Sequence, residues 1–318
     1  MSTLGVERFD GAVAAQIAAI SRAALDRPLH HEGELLIATV ADDAVVLGAM
    51  QRASEIAADV DPAMPLLVRG SGGAEVRVGP GTLWIQLALE RANALVACEP
   101  SRLLNRYVRP LLRALAKVGP VAGYFDRDWI SMNKRPVGAV AFGHEAGTGR
   151  ALFEAFVAVR TPFAVRERSS YLGKPTATLA EAGADVDLAS LSDAIVDAYA
   201  AAYGRSVVEI AAGAGLGPER SAREADPRRE PPWAAVREEA IGVVAAGRDR
   251  EGRVRVGGEL MASRDVVARL EAEIAEAPED DGRIDRAVDA LAGRGVATLG
   301  VRSLRSIRDA VRDALVAG

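Results

Sequence analysis

Residues 213–232 divide this chain of 318 residues into two parts. Gly, Pro, Arg and Glu dominate the stretch and leave little apolar surface to bury, which is the composition of a linker. A length of this size also suits about two domains. The predicted organisation is a large unit over 1–210, a linker over 211–234 and a small unit over 235–318. Hydrophobic residues make up 49% of the chain, enough to give each unit a core.

Within the large unit the apolar periodicity changes repeatedly. Residues 12–25 place Val13, Ile17, Ile20 and Leu25 near one helical face. Strands are predicted over 35–40 and 44–47, joined at Asp42–Asp43, and a helix over 49–60. Further strands follow at 66–68, 75–78 and 82–89, the last after a Gly79-Pro80-Gly81 turn. A long amphipathic helix covers 101–117, with Pro110 expected to kink or split it. Strands at 137–142 and 152–159 precede a helix over 188–203 that stops at Gly204. Such mixing predicts an α+β fold, a mixed β-sheet flanked by helices. The small unit reads as strands over 241–246 and 253–256 around a turn at Gly252, then three short helices, a second α+β arrangement.

Charge and composition exclude several classes of function. A formal net charge of −5 offers no basic surface for nucleic acid. Apolar stretches such as 12–20 fall well short of the roughly 20 residues that cross a bilayer. Glu7 and Asp10 stand where a signal peptide would have a basic flank. Cys98 is the single cysteine, so no internal disulfide forms, and a reducing cytoplasm is expected. It reads as a small hydrophobe, since no histidine is near it in sequence. Three scattered histidines show no metal-ligand spacing, and no metal site is predicted. The arginines of 302–312 alternate with acids and read as a solvated face.

Two segments carry chemistry. Arg69-Gly70-Ser71-Gly72-Gly73-Ala74-Glu75-Val76 lies between predicted strands. Its glycines allow close backbone approach, and their N–H groups can form a nest for phosphate or carboxylate oxygens. Arg69 can add a bidentate contact. An ordinary hairpin loop is the alternative. The second segment runs from Asp128-Trp129 through Asn133-Lys134-Arg135-Pro136 to Val137-Gly138-Ala139 and carries two adjacent cations.

The order of these segments, with Leu47-Gly48 before the first and Pro80-Gly81 after it, resembles the lipoate–protein ligase family, which shares its fold with octanoyltransferases and biotin ligases. The family's loop reads Arg-Arg-x-Ser/Thr-Gly-Gly-Gly-Ala-Val. Here Gly70, Ala74 and Glu75 depart from it. The family's catalytic lysine falls on Arg135 or Pro136, with Lys134 beside them. Glu154 and Ala155 replace a His-Gly pair, and 166–181 resembles the segment that closes the catalytic domain. Residues 241–315 resemble the ligase accessory domain, which octanoyltransferases lack.

The resemblance implies ATP-dependent attachment of lipoate, or a related medium-chain acyl group, to a lysine of a lipoyl-carrier protein through an acyl-adenylate. ATP, Mg²⁺ and lipoate are the implied small molecules. Lys134 and Arg135 become the catalytic candidates. Arg69, Ser71, Gly72, Gly73, Val76, Gly138 and Ala139 become the substrate and adenylate contacts. The altered positions leave two alternatives: a lipoyl-, biotinyl- or carrier-binding pseudoenzyme, and an ATP-independent octanoyl or lipoyl transferase. The usual transferase cysteine is missing before Asp128, where Tyr124 and Phe125 stand.

Overall fold

The computed structural model describes residues 3–125, 128–165, 174–213, 227–239 and 242–317. β1 (Thr3–Ala12) and α1 (Ala14–Ala23) are followed by β2 (Gly33–Val40), β3 (Ala44–Leu47), β4 (Leu66–Val68), β5 (Val76–Val78) and β6 (Thr82–Leu89). Next come α2 (Leu103–Val118), β7 (Ala122–Phe125), β8 (Trp129–Met132), β9 (Arg135–His144), β10 (Ala151–Ala158), α3 (Leu188–Tyr203) and β11 (Ser206–Ile210). The C-terminal part holds β12 (Ala235–Glu239), β13 (Gly242–Arg248), β14 (Val254–Gly258), β15 (Met261–Ala262), α4 (Arg264–Glu276), α5 (Asp281–Asp289), β16 (Thr298–Leu299) and α6 (Leu304–Ala317).

Eight strands form one mixed sheet in the order β11-β1-β2-β6-β10-β9-β8-β7. β1 pairs in parallel with both β11 and β2, and every other neighbour pair is antiparallel. The fold is α+β, as the mixed periodicities predict. Side chains alternate across a strand, so Leu83, Ile85, Leu87 and Leu89 of β6 join α2 and α3 on one face. Trp84 points the other way, with Phe156, toward α1 and the small sheet β4-β3-β5. Both faces of β6 are thus covered, which is why its apolar run is nearly unbroken. Each fully buried Leu or Ile there contributes about 1.5–3 kcal/mol.

Three expectations change on contact with the structure. Residues 42–43 do join two strands, but β2 belongs to the large sheet and β3 to the small one, so they form no hairpin. The helix expected over 49–60 shrinks to a single 3₁₀ turn, Ala53–Glu55. One local and two long-range bonds explain it: Gln51 Oε1 accepts from the Gly48 N–H, and Arg52 reaches the Pro231 and Arg248 carbonyls. Pro110 sits inside an uninterrupted α2. The proline leaves the Arg106 carbonyl without its helical donor, and the Tyr203 hydroxyl donates to that oxygen at 3.5 Å.

The C-terminal part has its own core. Sheet β12-β13-β14 packs against the helices through Val244, Val256, Leu270, Val288 and Val311. The arginines read as a solvated face instead bridge two helices: Arg308 and Arg312 of α6 pair with Asp281, Asp285 and Asp289 of α5. β15 pairs with β16, and Met261 is buried in the core of the large unit. The two parts are therefore docked through a short apolar seam with polar ties on either side.

Candidate functional site

The glycine loop joins β4 to β5 and lies where the small sheet meets the large one. Close approach explains its glycines. A β-carbon at Gly70 would lie 2.2 Å from the Ser21 carbonyl oxygen, and one at Gly72 would lie 2.4 Å from that of Leu260. Gly73 adopts a φ of +85°, a region that disfavours residues with a Cβ. Gly70 stands where the resembling loop has a second arginine, and the end of α1 fills that space.

The N–H groups of this loop already have acceptors. Gly70 donates to Ser21 Oγ at 2.7 Å, Gly72 to the Phe142 carbonyl at 3.0 Å and Gly73 to the Leu260 carbonyl at 3.2 Å. Ser71, fully buried, donates its N–H to Glu154 Oε2 at 3.3 Å. The other Glu154 oxygen accepts from Trp84 Nε1 at 2.8 Å, so this carboxylate ties the loop to the large sheet. Glu154 is itself fully buried.

Arg69 is 1% exposed. Its Nε donates to Ser71 Oγ, Nη1 to the Val46 carbonyl, and Nη2 to the carbonyls of Gly72 and Ala74. The guanidinium also lies over the Phe156 ring, 5.3 Å from its centroid. It clamps the loop's own backbone, where the sequence suggested a contact to a bound anion. Next to it, Gln51 Nε2 donates to Glu75 Oε2 at 2.8 Å and lies 3.4 Å from Glu55 Oε2. Burial pushes the Glu55 carboxyl up, despite donors from Trp233 and Arg52.

A small cleft of about 20 Å³ opens beside the loop. Ala74, Glu75, Asp128, Trp129, Ala139 and Phe163 form most of its wall. Among the described residues that line it, two are acidic and none is cationic. Ala139 is the one predicted contact residue on this wall. Val76 is buried in the core behind it, and Gly138 presses against β10, where a β-carbon would meet the Phe156 carbonyl oxygen at 2.2 Å.

The two candidate cations lie on the hairpin between β8 and β9. Asn133 and Lys134 take φ values of 54° and 63°, the conformation of a tight two-residue turn. Lys134 is exposed at its tip. Arg135 opens β9 and turns its guanidinium to the carbonyls of Pro175, Thr176 and Glu181. The β8–β9 register does shift beside Pro136, between Ile130 and Ser131, yet that irregularity lies on the strand side of the turn and leaves Lys134 at the tip. Pro136 itself is buried. Of 166–181, residues 166–173 lie outside the described part of the chain.

No family model and no curated protein sequence matches the chain. Solved structures do. A Plasmodium falciparum protein, LipL1 in complex with lipoate, superposes with a TM-score of 0.65 at 11% identity, over 97% of this chain and 99% of its own. The chain has the lipoate–protein ligase fold. A bipartite lipoate protein ligase from Thermoplasma acidophilum, solved with its E2 lipoyl domain, gives 0.56 at 13% identity, over 76% of this chain and 100% of its own. A lipoate-protein ligase A bound with ATP gives 0.53 at 14% identity, over 69% and 91%.

Against that fold, sequence reasoning had singled out the loop and the hairpin but missed most of the cleft. Glu75 had been visible only as a departure from the loop pattern, and Asp128–Trp129 only as the opening of the second segment. Phe163 and Thr176 carry no local signal, because long-range folding brings them to the wall. Cys98 is half-buried, and burial pushes its thiol up to about 11, which suits a packing role.

Proposed function

We propose that this chain uses the lipoate–protein ligase fold to hold a lipoyl or biotinyl group, or the carrier domain that bears one, without activating it. One observation carries the reading: among the described residues, the groups predicted for acyl-adenylate chemistry are engaged elsewhere or stand on the surface. Stabilising charge at phosphorus and at the carbonyl calls for a preorganised cation and free N–H donors. Arg69 clamps the loop, the Gly72 and Gly73 N–H groups have carbonyl acceptors, Lys134 stands on the surface, and Arg135 is tied to a neighbouring segment. Among the described residues, the cleft beside the loop is lined by Glu75, Asp128, Thr176 and apolar side chains, and none of the cations predicted for the site reaches it. The same reading assigns ligand holding to 1–210, a linker to 211–234 and an accessory role to 235–318.

A second reading, ATP-dependent attachment of lipoate to a carrier lysine, has one observation in its favour. The Gly73 N–H is covered by a single carbonyl from the C-terminal part, so lifting Leu260 would offer it to a ligand. ATP–pyrophosphate exchange, run beside calorimetry with lipoic acid and with a lipoylated carrier domain, separates the two. The first reading expects binding without exchange. Exchange that depends on lipoate would replace it with the second.

A further inference from the structure

His144 is buried at the seam between the two parts of the chain. It ends β9, opposite Ala151 of β10, and forms an isolated parallel bridge with Ser263, just beyond β15. Its Nδ1 shares a 2.7 Å hydrogen bond with Ser263 Oγ, which also accepts from the Ala297 N–H at 2.9 Å. The other ring nitrogen, Nε2, is buried and has no hydrogen-bond partner among the described residues. Three residues upstream of Ser263, the Leu260 carbonyl accepts from the Gly73 N–H and lies against Gly72. One short segment, Leu260 to Ser263, therefore covers the glycine loop at one end and holds the histidine at the other.

We propose that this segment is a latch over the glycine loop and that His144 is its pH-sensitive catch, so that protonating His144 releases the latch and exposes the loop. Neutral imidazole suits the seam. An imidazolium would bring a charge and a second N–H donor into a place where, among the described residues, Nε2 meets no acceptor, which disfavours the protonated ring. Charged residues on the elements around it include Glu154 of β10, Glu259 beside Leu260, Asp265 and Arg264 of α4, Glu145 and Arg150 of the loop after β9, Asp26 beyond α1, and Arg69 of the glycine loop. Most are already engaged. Asp265 accepts from the Ala146 and Gly147 N–H groups at 2.8 Å each, Arg264 pairs with Asp26 and Glu145, and Arg150 pairs with Glu90.

The sign follows from linkage. Burial holds the docked His144 below the ordinary range, and Asp265 opposes this only in part. A released imidazole titrates near about 6.5. The open state thus binds the proton that the closed state refuses, so closure is strongest above that value and weakens progressively as pH falls below it. If the docked ring stays neutral, the opening constant rises about tenfold by pH 5.5. The latch holds under either reading of the cleft, because it concerns access to the loop and not the chemistry there.

Hydrogen exchange read by mass spectrometry on the full chain tests this. After correction for intrinsic rates, residues 70–73 and 258–263 should open about tenfold more at pH 5.5 than at 7.5. The H144N variant, which keeps an N–H for Ser263, should lose that dependence. Equal opening at both pH values in the unmodified chain, or the same rise in H144N, overturns the proposal. Should H144N fail to fold, the H30Q/H31Q variant leaves His144 the only histidine in the chain. Its imidazole resonance should then titrate below the ordinary histidine value. Titration at or above it also overturns the catch.

Discussion

The glycine loop and the β8–β9 hairpin carry the same likeness to the lipoate–protein ligases, and the fold treats them in opposite ways. The loop is sealed: Ser71 is fully buried, Arg69 nearly so, and bonds within the protein satisfy its N–H groups from Gly70 to Gly73. The hairpin is open, with Asn133 and Lys134 exposed at its tip. The same likeness thus falls on a buried backbone path in one place and on a surface turn beside two cations in the other. Close packing constrains the glycine and serine positions of the loop whatever is bound.

If the loop is held from within, removing its clamp should do most damage. Arg69→Met leaves the Val46, Gly72 and Ala74 carbonyls and Ser71 Oγ without their donor, and buried groups abandoned in this way cost about 1–3 kcal/mol each when nothing relaxes. A total loss of roughly 3–5 kcal/mol should appear as a large fall in the urea midpoint at unchanged slope. Stability within about 0.5 kcal/mol of the parent would mean that Arg69 is not the clamp.

A smaller effect is expected where the loop meets the latch. Gly72→Val would drive a β-carbon to within 2.4 Å of the Leu260 carbonyl oxygen, a backbone atom that cannot step aside alone. Overpacking of this kind costs about 1–3 kcal/mol, and the Leu260–Ser263 segment should become more exposed in hydrogen exchange. Unaltered protection there would show that the contact is slack.

The hairpin should respond with the opposite sign. Lys134 holds a left-handed conformation that costs a side-chain-bearing residue about 1 kcal/mol. Lys134→Gly creates the Asn-Gly turn favoured in two-residue hairpins and should raise stability by up to that amount. Ligand affinity should stay the same in calorimetry. A drop in affinity would return Lys134 to the binding machinery.

Much of the fold was legible in the chain, for local reasons. The bounds of β6 and α3 follow the pattern closely, because Gly79-Pro80-Gly81 starts the first and Gly204, at a φ of 60°, stops the second. β1 and β11 were missed. β1 is buried on both faces in its first half and so lacks alternation, and β11 is an exposed edge whose partner lies some two hundred residues away. The helical pattern over 49–60 lost to Gln51, which bonds back to Gly48, and to Arg52, which bonds to the Pro231 carbonyl. Two expected regions, 214–226 and 166–173, together with Ile241, lie outside the described residues.

The site was legible as sequence but not as geometry. Spacing located the loop and the hairpin. It could not show that Arg69 turns inward, that Arg135 faces the 175–181 segment, or that Glu75 and Asp128 share a wall. Those facts depend on contacts between residues far apart in the chain. His144 illustrates the point: it lies beyond the strand predicted over 137–142, and only the structure shows it buried and bonded to Ser263, 119 residues away.

The central claim, a ligase fold without acyl activation, meets its most direct test in one reaction. The purified chain is incubated with lipoate, ATP, Mg²⁺ and an unmodified lipoyl-carrier domain, and the acceptor is weighed by mass spectrometry. The account predicts an acceptor of unchanged mass at every time point. A gain of one lipoyl group that requires both ATP and this chain would contradict it.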